Sequence, residues 1–154
     1  MGMYQKVALT IAQLVLLAGM GLMLLFMIAP YKAVGLFLNP VNKKAAASFL
    51  SDVASGGFEQ AAKSIGHSRK QEWIAGMEQL KRDGFYAVGY DSLEVPHDPE
   101  HGDGRANIEF IQDGERQTYY AVMTFRPGTV QQACLFFGKP SRHIETWNKL
   151  NCHY

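Results

Sequence analysis

The chain has 154 residues, 47% of them hydrophobic and 19% charged, with 15 Lys+Arg against 14 Asp+Glu for a formal net charge of +1. That length builds one modest domain, the apolar content excludes intrinsic disorder, and the near-neutral balance lacks the basic field of a dedicated nucleic-acid binder. The charge is unevenly placed: residues 7–31 carry none, and from Lys32 onward 14 basic side chains face 14 acidic ones.

Val7 to Ala29 reads VALTIAQLVLLAGMGLMLLFMIA, 23 residues whose only strongly polar side chain is Gln13. As a helix it measures about 34 Å, enough to cross a hydrocarbon core of about 30 Å. A cleaved secretory signal has an apolar region of about 7–15 residues and a small-x-small cut site. Here Met27 stands three positions before a cut after Ala29, and Pro30 follows at once, so the span is expected to stay as an anchor. The expected organisation is a tail 1–6, an anchor helix 7–30, a linker 31–42 and a folded domain 43–154. Lys6 before the span and Lys32, Lys43 and Lys44 after it lean toward a cytoplasmic C-terminal domain, a difference the free amino terminus narrows. Tyr4 and Tyr31 flank the span at headgroup level, and Ala18, Gly19 and Gly21 permit close approach of two helices.

Asn42 is positioned as the N-cap of KKAAASFLSDVAS, with Ala46, Phe49, Leu50 and Val53 on one face and Gly56-Gly57 as the stop. A short helix FEQAAKSI ends at Gly66. Ser68 and Gln71 form a capping-box pattern before RKQEWIAGMEQLKRD, whose apolar face is Trp73, Ile74, Met77 and Leu80 and whose stop is Gly84.

After Gly84 the period changes from 3.6 to 2, predicting strands over 85–95, 104–112, 116–126 and 129–137, with a fifth over 142–148. Asp113-Gly114, Pro127-Gly128 and Gly138 to Ser141 mark the turns of an antiparallel meander. Helices followed by strands spell an α+β domain. Strand 116–126 is apolar on both alternating faces, with Tyr119, Ala121, Met123 and Phe125 on one and Tyr120 and Val122 on the other. Strand 129–137 repeats this with Val130, Cys134 and Phe136 against Ala133, Leu135 and Phe137. A sheet with one wet face does not read so, and a covering partner is expected, whether the C-terminal segment, a second copy or another protein.

The run AAASFLSDVASGGFEQAAKSI, a Trp-bearing helix and then Gly84 opening four or five antiparallel strands resembles the nuclear-transport-factor-2-like superfamily over roughly residues 43–150. The resemblance is to its small membrane-anchored bacterial members. It implies a curved sheet wrapped round helices as a cone, held outside the cytoplasm by one span. Such members include scaffold components of conjugation and type IV secretion machines, and soluble relatives include ketosteroid isomerases and small-ligand binders. The fold transfers better than any function.

Two constellations invite chemistry. His97-Asp98-Pro99-Glu100-His101 spells H-x-x-E-H, which as a zinc protease needs both imidazoles on one helical face. Pro99, Gly102 and Gly104 deny that helix, leaving a solvated loop in which His97, His101 and Asp103 are candidates for an adventitious divalent ion. Tyr86, Tyr90, Asp91, Glu109, Tyr119 and Tyr120 supply carboxylates and phenols that an isomerase-like cone would need. Tyr86, Tyr90, Asp91 and Tyr119 are therefore the candidate ligand-binding set. Glu109 alternates with Ile108 and Phe110 and so points away from their face. The plainer reading of the set is an aromatic core with surface acids. No phosphate loop, nucleophile elbow or metal-spaced Cys/His set occurs, so no catalytic residue and no cofactor is assigned.

Cys134 and Cys152 lie 18 residues apart, far enough for the chain to turn and lay its tail beside the strand. Two free thiols in a cytoplasmic domain would suit the lysines after the span. The family resemblance points outward, and with it to a disulfide in an oxidising compartment. The sequence thus leads to a single-span, non-enzymatic binding or scaffold domain at the membrane. It has a protein partner or second copy and no nucleic acid. Its rival is a small-ligand-binding or isomerase-like domain.

Overall fold

A computed structural model describes the backbone of residues 3–28, 30–95, 103–136 and 141–152, and the side chains of 9–24, 27, 37–95, 103–136 and 141–152. In chain order the elements are α1 (Met3–Ile28), α2 (Pro30–Ala54), α3 (Phe58–Ser64), α4 (Lys70–Arg82), β1 (Phe85–Glu94), β2 (Gly104–Gln112), β3 (Glu115–Arg126), β4 (Thr129–Phe136) and α5 (Arg142–Asn151). The class is α+β, with helices packed against one four-stranded antiparallel sheet of order β1-β2-β3-β4.

Helix α1 is 26 residues long, about 39 Å at 1.5 Å per residue. Its described side chains from 9 to 24 form an unbroken run of 16, all exposed and none charged. Among the described residues no helix is long and apolar enough to cross a membrane. That 16-residue run accounts for only about 24 Å of the helix.

The expected linker is helical: α2 runs unbroken through 31–42 to Ala54. Pro30 opens it, at a position where a missing N–H costs nothing. Asn42 is accordingly no N-cap. It is mid-helix and 8% exposed, and its Oδ1 accepts the Gly128 N–H at 3.1 Å, tying the β3–β4 turn to α2. The helix stops at Gly56 (φ 76), where the N–H groups of Gly56 and Gly57 return to the Val53 and Asp52 carbonyls at 3.0 and 2.7 Å. The Ser68 capping box does not form either. Arg69 occupies the N-cap of α4 with no side-chain bond, and its own N–H is turned onto His67 Nδ1 at 3.1 Å.

Two of the turn signals read as expected, and residues 138–140 of the third lie outside the described residues. Asp113 (φ 53) and Gly114 (φ 86) both take the positive φ of a two-residue hairpin, and Gly128 (φ 75) follows Pro127. The fifth strand is a correction: 142–151 is helix α5. Its start is Ser141, whose Oγ accepts the Ile144 N–H at 3.3 Å, and its buried residues Trp147 and Asn151 recur at helical spacing. The apolar residues Ile144, Trp147 and Leu150 recur every three positions, which keeps them on one side of a helix and would scatter them over both faces of a strand.

Alternation on β4 also needs correction. Thr124 pairs with Gln132 but Phe125 pairs with Val130, so Gln131 is an extra residue. This bulge turns Val130 onto the inner face with Ala133 and Leu135, away from Cys134 and Phe136. The inner face (Ala106, Ile108, Phe110, Tyr119, Ala121, Met123) packs on Ala46, Phe49 and Leu50 of α2 and on α3 and α4, in one hydrophobic core.

Candidate functional site

The four candidate ligand residues do not converge. On β1, Val88 is extra between the pairs Ala87–Phe110 and Gly89–Glu109, which sends Tyr90 to the inner side and leaves Asp91 on the outer one. The Tyr90 hydroxyl donates to the Ala47 carbonyl at 3.4 Å, so it holds β1 to α2. Asp91 is exposed and accepts from Asn107 Nδ2 at 2.9 Å. The Ser92 hydroxyl first, and Asn107 second, hold its carboxyl below the usual 3.8. A general base working near neutrality needs the opposite shift. Glu109 lies on the outer face and meets Arg116 at 3.1 Å.

Tyr119 is 2% exposed on the inner face. Its Oη lies 2.6 Å from Gln112 Oε1 and 2.8 Å from Gln117 Oε1. A phenol has one proton, so one of these two amides is turned to donate its NH₂ to the phenol oxygen. Burial pushes this phenol above its ordinary value of 10, which suits a structural donor. Tyr86 lies elsewhere, in the wall of a cavity of about 100 Å³ shared with Val53, Gly56, Phe58 and Lys81. Sites for small molecules measure several hundred cubic ångströms. An open trough of about 390 Å³ adjoins it, bounded by Phe58, Glu78, Lys81 and Arg82. His97 and His101 lie outside the described residues. Asp103 is exposed, and among the described residues no three metal-ligating side chains cluster.

Rings fill the space beneath the sheet. Phe85 stacks on Phe110 at 4.5 Å and 18°, and on His143 at 5.5 Å and 12°. Trp147 meets Phe110 edge-on at 5.1 Å. Offset and edge-on pairs of this kind add about 0.5–1.5 kcal/mol each beyond area burial, so the arrangement is a packed core.

The edge of the sheet at β4 carries the arrangement the sequence reading missed. There α5 substitutes for a fifth strand. Trp147 Nε1 donates to the Ala133 carbonyl at 2.8 Å, and Asn148 accepts the Leu135 N–H at 2.8 Å while donating to its carbonyl at 3.0 Å. Earlier on the same edge the Gly66 N–H donates to the Val130 carbonyl at 2.7 Å. Side chains and one amide thus occupy groups that an open edge offers to other chains. Asn151, fully buried, accepts from Trp73 Nε1 at 3.0 Å and donates to the Trp147 carbonyl at 3.0 Å, joining α4 to α5. At the end of α5 a disulfide joins Cys152 to Cys134 on the outer face of β4, with Cα atoms 5.4 Å apart. The legible signal was the spacing Trp147, Asn148, Asn151, a polar-aromatic stripe at helical period.

On the outer face, Tyr120, Val122 and Cys134 are half-buried and Phe136 is 49% exposed, while the β1–β2 side carries the Asp91–Asn107 and Glu109–Arg116 pairs. Comparison with family models, curated proteins and solved structures gave no significant match.

Proposed function

We propose that the protein is a single-span membrane protein whose α+β domain, a cone of the nuclear-transport-factor-2-like kind, binds a protein partner or a second copy without catalysing a reaction. Secretion- or conjugation-type assemblies are the class of machine this describes. The observation that carries the reading is the filled interior: rings occupy the inner face, and the candidate carboxylate Asp91 stands exposed on the other side of the sheet with its pKa lowered. A ligand-binding or isomerase-like cone needs a cavity and a desolvated base at that place. Anchoring is supported by the uncharged run Val7–Ala29 and by the exposed apolar side chains of α1, among them Leu14, Leu17, Met20 and Leu24. The Cys134–Cys152 pairing favours an oxidising, extracytoplasmic side for the domain.

The test is alkaline extraction of membranes carrying the full chain, followed by crosslinking in the intact membrane. Retention in the pellet with a discrete crosslinked species is expected. Release into the supernatant rejects the anchor, and a chain that stays uncrosslinked across reagents of different length rejects the scaffold.

A further inference from the structure

Outside α1, the exposed large apolar side chains among the described residues are Phe37, Val41 and Phe136. Two of these lie on α2, one turn apart, with Phe37 53% and Val41 46% exposed. A helix that packs on its own domain buries such a pair; α2 is half-buried at Leu38 and Asn39 and buried only from Asn42 onward, through Ala46, Phe49, Leu50 and Val53. We infer that the first three turns of α2, Pro30–Val41, lie in the headgroup layer of the bilayer, so that Phe37 and Val41 rest at the acyl boundary and Lys43 and Lys44 mark the outer limit of the lipid. This inference rests on the anchor reading.

Three observations select the headgroup layer over the alternatives. First, on the anchor reading the uncharged part of α1, residues 7–28, is about 33 Å long and already covers the roughly 30 Å hydrocarbon core, so α2 has no hydrocarbon left to cross. Second, Pro40 sits inside α2 and has no N–H, which leaves the Leu36 carbonyl without its helical donor. Hydrocarbon cannot satisfy that carbonyl, whereas water and headgroups can. Third, the charge matches a phosphate layer: Lys32, Lys43 and Lys44 lie on α2, and the first acidic residue of the chain is Asp52.

The fold then brings the sheet to the same level. Because Gly128 is bonded to Asn42, and a Cβ on Gly128 would stand 3.4 Å from Val41 Cγ1, the exposed Arg126-Pro127 tip is fixed beside Val41. Glu94 and Asp103, the described acids at that end of the sheet, end β1 and immediately precede β2 and do not belong to α2 or the β3–β4 turn. The domain therefore meets the bilayer with the β3–β4 turn, and the Asp113-Gly114 hairpin faces away.

The experiment places an indole at position 37 (Phe37→Trp) or at position 20 (Met20→Trp) in the full chain. Each protein is reconstituted in phosphatidylcholine–phosphatidylglycerol vesicles containing lipids brominated at a shallow or a deep acyl position. Trp73 and Trp147 are 0% and 1% exposed inside the domain, so wild type supplies a background the lipid quenchers do not reach. The expected result is loss of the F37W emission with shallow bromines, less with deep ones, and none with aqueous iodide. The M20W indole should respond most to deep bromines. Iodide quenching of F37W without bromolipid quenching overturns the inference, and so does deep quenching stronger than shallow. A blue-shifted F37W emission untouched by bromolipid and dependent on the protein-to-lipid ratio assigns the pair to a second copy and also overturns it. An M20W indole unquenched by either lipid withdraws the anchor reading itself, whereas M20W quenched and F37W unquenched withdraws this inference alone.

Discussion

Replacing Asn151 by leucine tests the α4–α5 junction. The side chain is fully buried, its Oδ1 satisfies the indole N–H of Trp73 at 3.0 Å, and its Nδ2 donates to the Trp147 carbonyl. Leucine has the same branched shape and number of side-chain heavy atoms, with methyls bulkier than the amide oxygen and nitrogen, so no cavity opens. The dominant cost is the stranded indole donor, because Trp73 is itself 0% exposed and water cannot replace the amide. An unsatisfied buried donor costs about 1–3 kcal/mol, and the lost bond to the Trp147 carbonyl adds little because that carbonyl is also within the helix hydrogen-bond ladder. Burying apolar atoms in place of the amide offsets roughly 0.5–1 kcal/mol, leaving a net destabilisation of about 1 kcal/mol. The double-mutant cycle isolates the bond. In a Trp73→Phe background there is no indole N–H to strand, and Asn151→Leu should cost less by about 1–2 kcal/mol. Urea unfolding of the full chain in mild detergent, followed by near-ultraviolet circular dichroism, measures all four corners. A neutral Asn151→Leu, or an equal cost in both backgrounds, would refute the argument that Asn151 is held there by the indole.

Further outcomes follow from the same geometry. Reducing the Cys134–Cys152 bond, or replacing both cysteines by serine, should destabilise the domain by about 3 kcal/mol, the chain-entropy value of a loop this size, and thermal unfolding with and without a dithiol reductant reads it. Asn148→Ala leaves the Leu135 N–H and carbonyl without their side-chain partner, and should speed hydrogen exchange at Leu135 while promoting concentration-dependent association through β4. For Asp91 the folded pKa is lowered. Its contribution to stability is therefore present above the unfolded value near 3.8 and is lost as pH falls through the folded one; Ser92→Ala should move the NMR titration midpoint back up toward 3.8. Metal analysis of untagged protein should find no stoichiometric zinc that disappears in a His97→Ala, His101→Ala variant.

Local chemistry made the class and most elements legible. Period 3.6 before Gly84 and period 2 after it, with Asp113-Gly114 and Pro127-Gly128 as turns, are properties of short segments, and they located α3, α4 and the four strands within a residue or two. What escaped was decided between segments distant in the chain. Asn42 resembles an N-cap to any local reading, yet the Gly128 N–H, 86 residues away, takes its side chain and lets the helix run through it. Alternation along β4 fails at Gln131, because a bulge is set by pairing with β3 and not by the strand's own pattern. The segment 142–151 becomes a helix through Ser141 at its start, and is held by Ala133 and Leu135, whose outward groups need partners that a helix bearing Trp147 and Asn148 can supply. The candidate site is split for the same kind of reason: neighbours Tyr90 and Asp91 must point to opposite faces, and the extra residue Val88 decides that Tyr90 turns inward and Asp91 outward, which only the register with β2 reveals.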